Sequence, residues 1–146
     1  MPTYTVTNSN FKINVKQKNE IAKGITKIHN KVTGANTYFA QVIFNKTKNS
    51  DHFMGGRKVK EPQIFLYGQI RAGRTNKVKN KLIITLRDAI IKNSDIKKDC
   101  VWVYLLELTP AQMIEYGEVL PQSGKEAEWF NSLPNSLQKK LKKIDE

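Results

Sequence analysis

The 146 residues predict an α+β fold: two consecutive β-α-β units, about 2–45 and 63–106, then a C-terminal extension, about 107–146, carrying short helices. Two amphipathic segments, each flanked by strand-like runs, carry this prediction. So does the offset between strand starts, from 2 to 38 in the first half and from 63 to 101 in the second. Identity between the halves is weak, so the repeat is one of architecture. The length suits a single domain, and 39% apolar residues suffice for one modest core. Each crossover should be right-handed, with its strand pair parallel.

The elements follow in order. From Pro2 to Thr7, Tyr4 and Val6 alternate with threonines, a strand pattern. Ile21, Ile25, Ile28 and Val32 recur at helical spacing and predict a helix over 15–33, with Gly34 as its C-cap. Tyr38 to Phe44 reads as the second strand, and Asn45 to Glu61 as a polar, turn-rich link bending at Gly55-Gly56. Gln63 to Ile70 is a strand; Val78, Leu82, Leu86 and Ala89/Ile90 predict a helix over 75–93; Cys100 to Leu106 is again a strand. Beyond it, Pro110 to Gly117 reads as a short helix stopped by glycine, and Pro121 to Gly124 as a turn. Glu126–Leu133 and Pro134–Lys143 read as short helical pieces, and Trp129 and Phe130 call for a packing partner such as a neighbouring subunit.

Composition narrows the partners. No run approaches the about 18 apolar residues of a membrane span, the N-terminal segment lacks a secretion-signal pattern, and Cys100 is the lone cysteine. A cytoplasmic protein is expected, with Cys100 a buried small hydrophobe. The net charge of +12 raises the question of nucleic acid, anionic membranes or anionic small substrates. Twenty-one of the basic residues are lysines; those at 12, 16, 18, 23, 27 and 31 run into and along the first helix without interleaved aromatics. They read as a solvated face rather than a nucleic-acid platform. Two of only four arginines sit together in Arg71-Ala72-Gly73-Arg74, between a strand and a helix. Both guanidinium groups can converge on one carboxylate there, aided by the helix N-terminus; taken alone, the segment reads equally as a surface turn.

Other candidates are individually weak. Pro2, if Met1 is removed, supplies a secondary amine whose role as acid or base depends on its pKa; by itself it reads as a strand-edge proline. His29 lies at the rim of the first helix's apolar stripe. Tyr104 lies in an apolar strand and Glu115 beside Met113, Ile114 and Tyr116, where partial burial favours a base. No metal-ligand constellation, nucleophile elbow, phosphate loop or dinucleotide fingerprint is present, and no metal or cofactor is expected.

Together these residues are far more specific. The chain resembles the cis-3-chloroacrylic acid dehalogenase family of the tautomerase superfamily, from Pro2 to about Leu133. The matching stretches are the Met-Pro start, Ile28-His29, Val32-Thr33-Gly34, Ala40-Gln41-Val42, Gly55-Gly56, Ile64-Phe65, Arg71-Ala72-Gly73-Arg74 and Trp102-Val103-Tyr104. They continue through Met113-Ile114-Glu115-Tyr116-Gly117, Leu120-Pro121-Gln122 and Glu128-Trp129-Phe130. The resemblance implies a tautomerase-like fold assembled as a homotrimer. It assigns Pro2, Tyr104 and Glu115 catalytic roles and His29, Arg71 and Arg74 to binding a small carboxylate. The highly charged loop Arg57 to Glu61 departs from the pattern and bears on the substrate more than on the reaction.

The implied reaction is hydration of a small α,β-unsaturated acid, halogenated or acetylenic, with Pro2 as acid and Glu115 and Tyr104 activating water. Two alternatives stand beside it. One is enol–keto tautomerisation of a 2-oxo acid with Pro2 as base. The other is a non-enzymatic trimeric binding module with a basic surface.

Overall fold

A computed structural model describes residues 2–145. Strand β1 (Thr3–Ser9), helix α1 (Val15–Thr33) and strand β2 (Gln41–Lys46) form the first unit. Strand β3 (Phe53–Met54) and strand β4 (Arg57–Lys58) make a small hairpin, turned at Gly55 and Gly56 with φ of 57° and 74°. Strand β5 (Gln63–Arg71), helix α2 (Asn76–Ser94) and strand β6 (Val101–Leu108) form the second unit. A second hairpin, β7 (Ile114–Glu115) and β8 (Glu118–Val119), precedes helices α3 (Glu126–Ser132) and α4 (Asn135–Asp145). This is the α+β fold expected, with both β-α-β units in one mixed sheet.

The sheet order is β2-β1-β5-β6. β1 pairs with β2 and β5 with β6 in parallel, and the units meet through antiparallel β1 and β5. Alternation decides the faces. Tyr4, Val6, Ile64, Leu66 and Ile70 are buried against Ile21 and Ile25 of α1 and Leu82, Leu86 and Ile90 of α2. The opposite face carries no helix. Phe65, Trp102 and Tyr104 form an aromatic ladder there, and Trp102, Tyr104, Leu106 and Ile43 are exposed.

Helix α1 runs over the residues its periodicity predicts because both ends are capped. The Asn14 side chain accepts from the Gln17 amide while the Gln17 side chain accepts from the Asn14 amide, and Gly34 closes the helix at φ 73°. Cys100 is buried, as expected.

Three expectations are corrected. The second strand begins at Gln41 rather than Tyr38, because Thr37–Phe39 wind into a short 3-10 turn. That turn buries Tyr38 and Phe39 in a second core with Leu120, Leu133 and Leu141. Trp129 and Phe130 are partnered within the same chain: Phe39 and Trp129 rings lie 5.5 Å apart, Tyr38 and Phe130 rings 6.2 Å apart. The segment 110–117 is no helix. After a 3-10 turn at Pro110–Gln112 it becomes the β7–β8 hairpin. Tyr116 and Gly117 both take positive φ, 56° and 87°, as a two-residue hairpin turn with primed geometry requires.

Candidate active site

The site lies where β1, β5 and the C-terminal end of α1 meet. Pro2 is buried just before β1, and its carbonyl accepts from the Gln41 amide at 3.0 Å. The register Thr3–Gln69 sets Pro2 beside Ile70, next to Arg71. Met1, whose removal would free the Pro2 amine, lies outside the described residues.

His29 is central to the apolar row rather than at its rim. Ile21, Ile25 and His29 are the buried residues of α1, a row with one residue per turn. His29 is 1% exposed, and its Nδ1 lies 2.7 Å from the buried Tyr4 hydroxyl. Burial, then the Arg74 charge, pushes its pKa down to about 3, so the imidazole is neutral. Burial raises the Tyr4 hydroxyl above its ordinary range, which keeps it protonated.

Strand β5 ends at Arg71, and the turn to the Thr75 N-cap of α2 carries Gly73 at φ 107°. Both arginines come onto one pocket of about 250 Å³ with Thr33, Asn36, Phe39 and Glu126. Arg71 is buried; its Nη1 donates to the Pro121 carbonyl at 3.2 Å and its Nη2 to the Glu126 carboxylate. Arg74 Nη1 donates to the Arg71 carbonyl at 2.5 Å. Burial, then repulsion from Arg71, lowers the Arg74 pKa. Burial acts to raise the Glu126 carboxyl, but Arg71 outweighs it and the net shift is downward. Beneath the turn Glu107 pairs with Lys79 at 2.9 Å, and its carboxyl is lowered by that lysine above all.

Three buried nitrogens here have no partner among the described residues: His29 Nε2, Arg71 Nε and Arg74 Nε. Orphaned donors of this kind cost free energy until an acceptor arrives. Arg71 and Arg74 line the pocket of about 250 Å³ together with the Glu126 carboxylate, while His29 lies outside its lining.

Two sequence candidates lie apart from this pocket within one chain. Glu115 is on the β7–β8 hairpin and lines a cleft of about 610 Å³ with Thr3, Tyr38, Gln41, Leu108 and Tyr116. Phe39 lines both cavities. Tyr104 is 53% exposed on the open sheet face, beside His52, Phe65 and Trp102. It is paired in register with Tyr67, away from the Arg71 end of β5. Among the described residues no group of three metal-ligating side chains converges.

Two contributors escaped the sequence reading. Glu126 lies 55 residues beyond Arg71 and nothing local signals the pair. Tyr4 left a trace: it alternates onto the core face with Val6, and a buried hydroxyl calls for a partner.

A mixed sheet of two β-α-β units, with a cationic pocket at the end where its first strand begins, defines a tautomerase-like protein. The chain belongs to the tautomerase superfamily: residues 1–132 match the family described as putative oxalocrotonate tautomerase enzyme. It is similar to the crystal structure of N1, a member of the cis-3-chloroacrylic acid dehalogenase family, at 33% identity and TM-score 0.91, over 97% of this chain and 99% of that one. Native Ps01740 shares the fold at 22% identity and TM-score 0.72, over 77% of this chain and 99% of that one. A fused 4-OT described as a symmetric trimer does so at 19% identity and TM-score 0.73, over 81% and 94%. No curated protein matches the chain significantly in sequence. No helix among the described residues is long and apolar enough to cross a membrane.

Proposed function

We propose that the chain is a cofactor-free enzyme that hydrates a small α,β-unsaturated carboxylate, halogenated or acetylenic. The observation that carries this reading is the set of unpartnered buried nitrogens on Arg71, Arg74 and His29. They suit a substrate carboxylate, held by charge-assisted hydrogen bonds. Drawing electron density toward that end leaves the β-carbon electron-poor.

In this reading Glu115, with Tyr104, takes a proton from water, whose oxygen bonds to the β-carbon. Pro2, released from Met1 and protonated, delivers a proton to the α-carbon. From a 3-haloacrylate the resulting halohydrin loses hydrogen halide, giving an aldehyde acid. A triple-bond acid gives the same product through its enol. The separation of Tyr104 from the arginines within one chain supports a trimer, in which the open sheet face meets a neighbouring copy. The trimeric 4-OT of the same fold supports it too.

Enol–keto tautomerisation of a 2-oxo acid is a second reading. Glu115 lining a different cavity from the arginines favours it, since this reaction needs only Pro2 as a neutral base. Glu115→Gln separates the two: hydration should collapse by about 100-fold or more while tautomerisation survives. The hydration reading also expects activity to fall as pH rises through the Pro2 amine's pKa, since the acid is then lost. A rate independent of pH well into the alkaline range would contradict an acid role for Pro2.

A further inference from the structure

Tyr4 belongs to none of the roles above, yet among the described residues it makes the one hydrogen bond to the His29 ring. From this geometry we infer that Tyr4 is a positioning residue, fixing His29 as the Nε2–H tautomer so that its buried Nε2 is left as a donor. The inference deepens the carboxylate-binding reading and rests on it for its purpose, though not for its test.

Proton accounting decides which tautomer the fold favours. A neutral imidazole has one N–H and one lone pair, and a phenol can donate or accept. Among the described residues the Tyr4 hydroxyl has a single partner, His29 Nδ1 at 2.7 Å, and both residues are buried. If Tyr4 donates, both the hydroxyl proton and the Nδ1 lone pair are satisfied, and one group is left over: an Nε2–H donor. If instead Nδ1–H donated to Tyr4, the hydroxyl proton and the Nε2 lone pair would both be orphaned in a dry interior. One unsatisfied group is cheaper than two. The group left over is of the same kind as the unpartnered Nε–H groups of Arg71 and Arg74.

A second feature shows that the ring is held in place. Gly68, on the neighbouring strand β5, is paired with Tyr4, and a Cβ there would stand 2.6 Å from Tyr4 Cε1 and 2.9 Å from Cδ1. The same Cβ would meet Leu105 Cδ2 at 2.8 Å. Gly68 has an ordinary strand backbone, so its missing side chain serves the Tyr4 ring rather than a turn. The Tyr4 and His29 rings meet edge to face, 5.7 Å apart at 68°.

The test is the tautomeric state of His29, read by long-range proton–nitrogen NMR on the full-length protein at neutral pH. The chain has only one other histidine, His52, and His52→Gln assigns the signals. Wild type should show a pyrrole-type Nε2 and a pyridine-type Nδ1. Tyr4→Phe, which conserves ring volume, should admit a substantial Nδ1–H share, because the Arg74 charge then favours a lone pair at Nε2. Gly68→Ala should shift the balance the same way. Propionate, a saturated carboxylate probe, should perturb Nε2 and bind about tenfold more weakly to Tyr4→Phe. An Nδ1–H tautomer in wild type would overturn the inference with no variant needed. So would a folded Tyr4→Phe with an unchanged tautomer. Failure to hydrate any unsaturated acid would leave this result standing and count against the proposed reaction alone.

Discussion

His29 occupies a position that helix packing would ordinarily give to leucine or isoleucine. It continues the row of Ile21 and Ile25 but ends among charges. In the unfolded chain an imidazole titrates near 6.5; in the fold burial and then Arg74 push it down to about 3. Between those values the unfolded state binds more protons, so stability rises with pH across that window and falls as pH drops through it. The span corresponds to about 5 kcal/mol. Thermal unfolding of wild type should therefore weaken steeply between about pH 6.5 and pH 4. His29→Gln should show a shallower slope, and equal slopes would refute the assignment. The sequence placed His29 one position off the stripe because Ile28 and Val32 are as apolar as the residues that prove fully buried. Only the strand beneath decides which row faces inward.

At the scale of elements, the C-terminal extension and the arginine turn hold one another. Arg71 is fastened to Pro121 and Glu126, so α3 is tied to the end of β5 through the same side chain that lines the arginine pocket. Glu126→Gln should loosen α3 and α4 by about 1–2 kcal/mol, allowing for solvent screening of a part-exposed carboxylate. It should also free Arg71 to bind propionate severalfold more tightly. Limited proteolysis of the extension and propionate titration read the two effects, and tighter binding without loosening would contradict the coupling. Helices α1 and α2 and strand β5 were legible to within a residue or so, since period and caps agree. The segment around Glu115 was not. Its apolar residues suit a helix, but Tyr116 and Gly117 take left-handed conformations that turn it into a hairpin. Likewise Tyr38-Phe39 looks like strand and coils, because the aromatic pair is drawn to Trp129 and Phe130.

At the scale of the whole molecule, one sheet face is covered by two helices, and among the described residues no helix covers the other. Trp102, Leu106 and Ile43 are each more than two-fifths exposed there. An apolar sheet face of that kind is a site of association. Native mass measurement should find three times the 16.7 kDa chain, and Trp102→Glu should shift it toward the single chain. A monomeric wild type would refute the trimer. The two-unit architecture was legible from the repeat of strand and helix patterns. The order of the four strands was not, since nothing local says which edges of the two units join. The site was legible in part for the same reason. Arg71 and Arg74 share a turn, so their convergence follows from adjacency. The separation of Tyr104 and Glu115 from them follows from pairing between distant segments.

The account stands or falls on whether this pocket serves hydration. Protein verified to begin at Pro2 should be mixed with cis-3-chloroacrylate and, separately, with acetylenecarboxylate, and followed by proton NMR. Wild type should give malonate semialdehyde or acetaldehyde, and Pro2→Ala and Glu115→Gln should give neither. Persistence of product in Glu115→Gln, or no product from wild type with either acid, would contradict it.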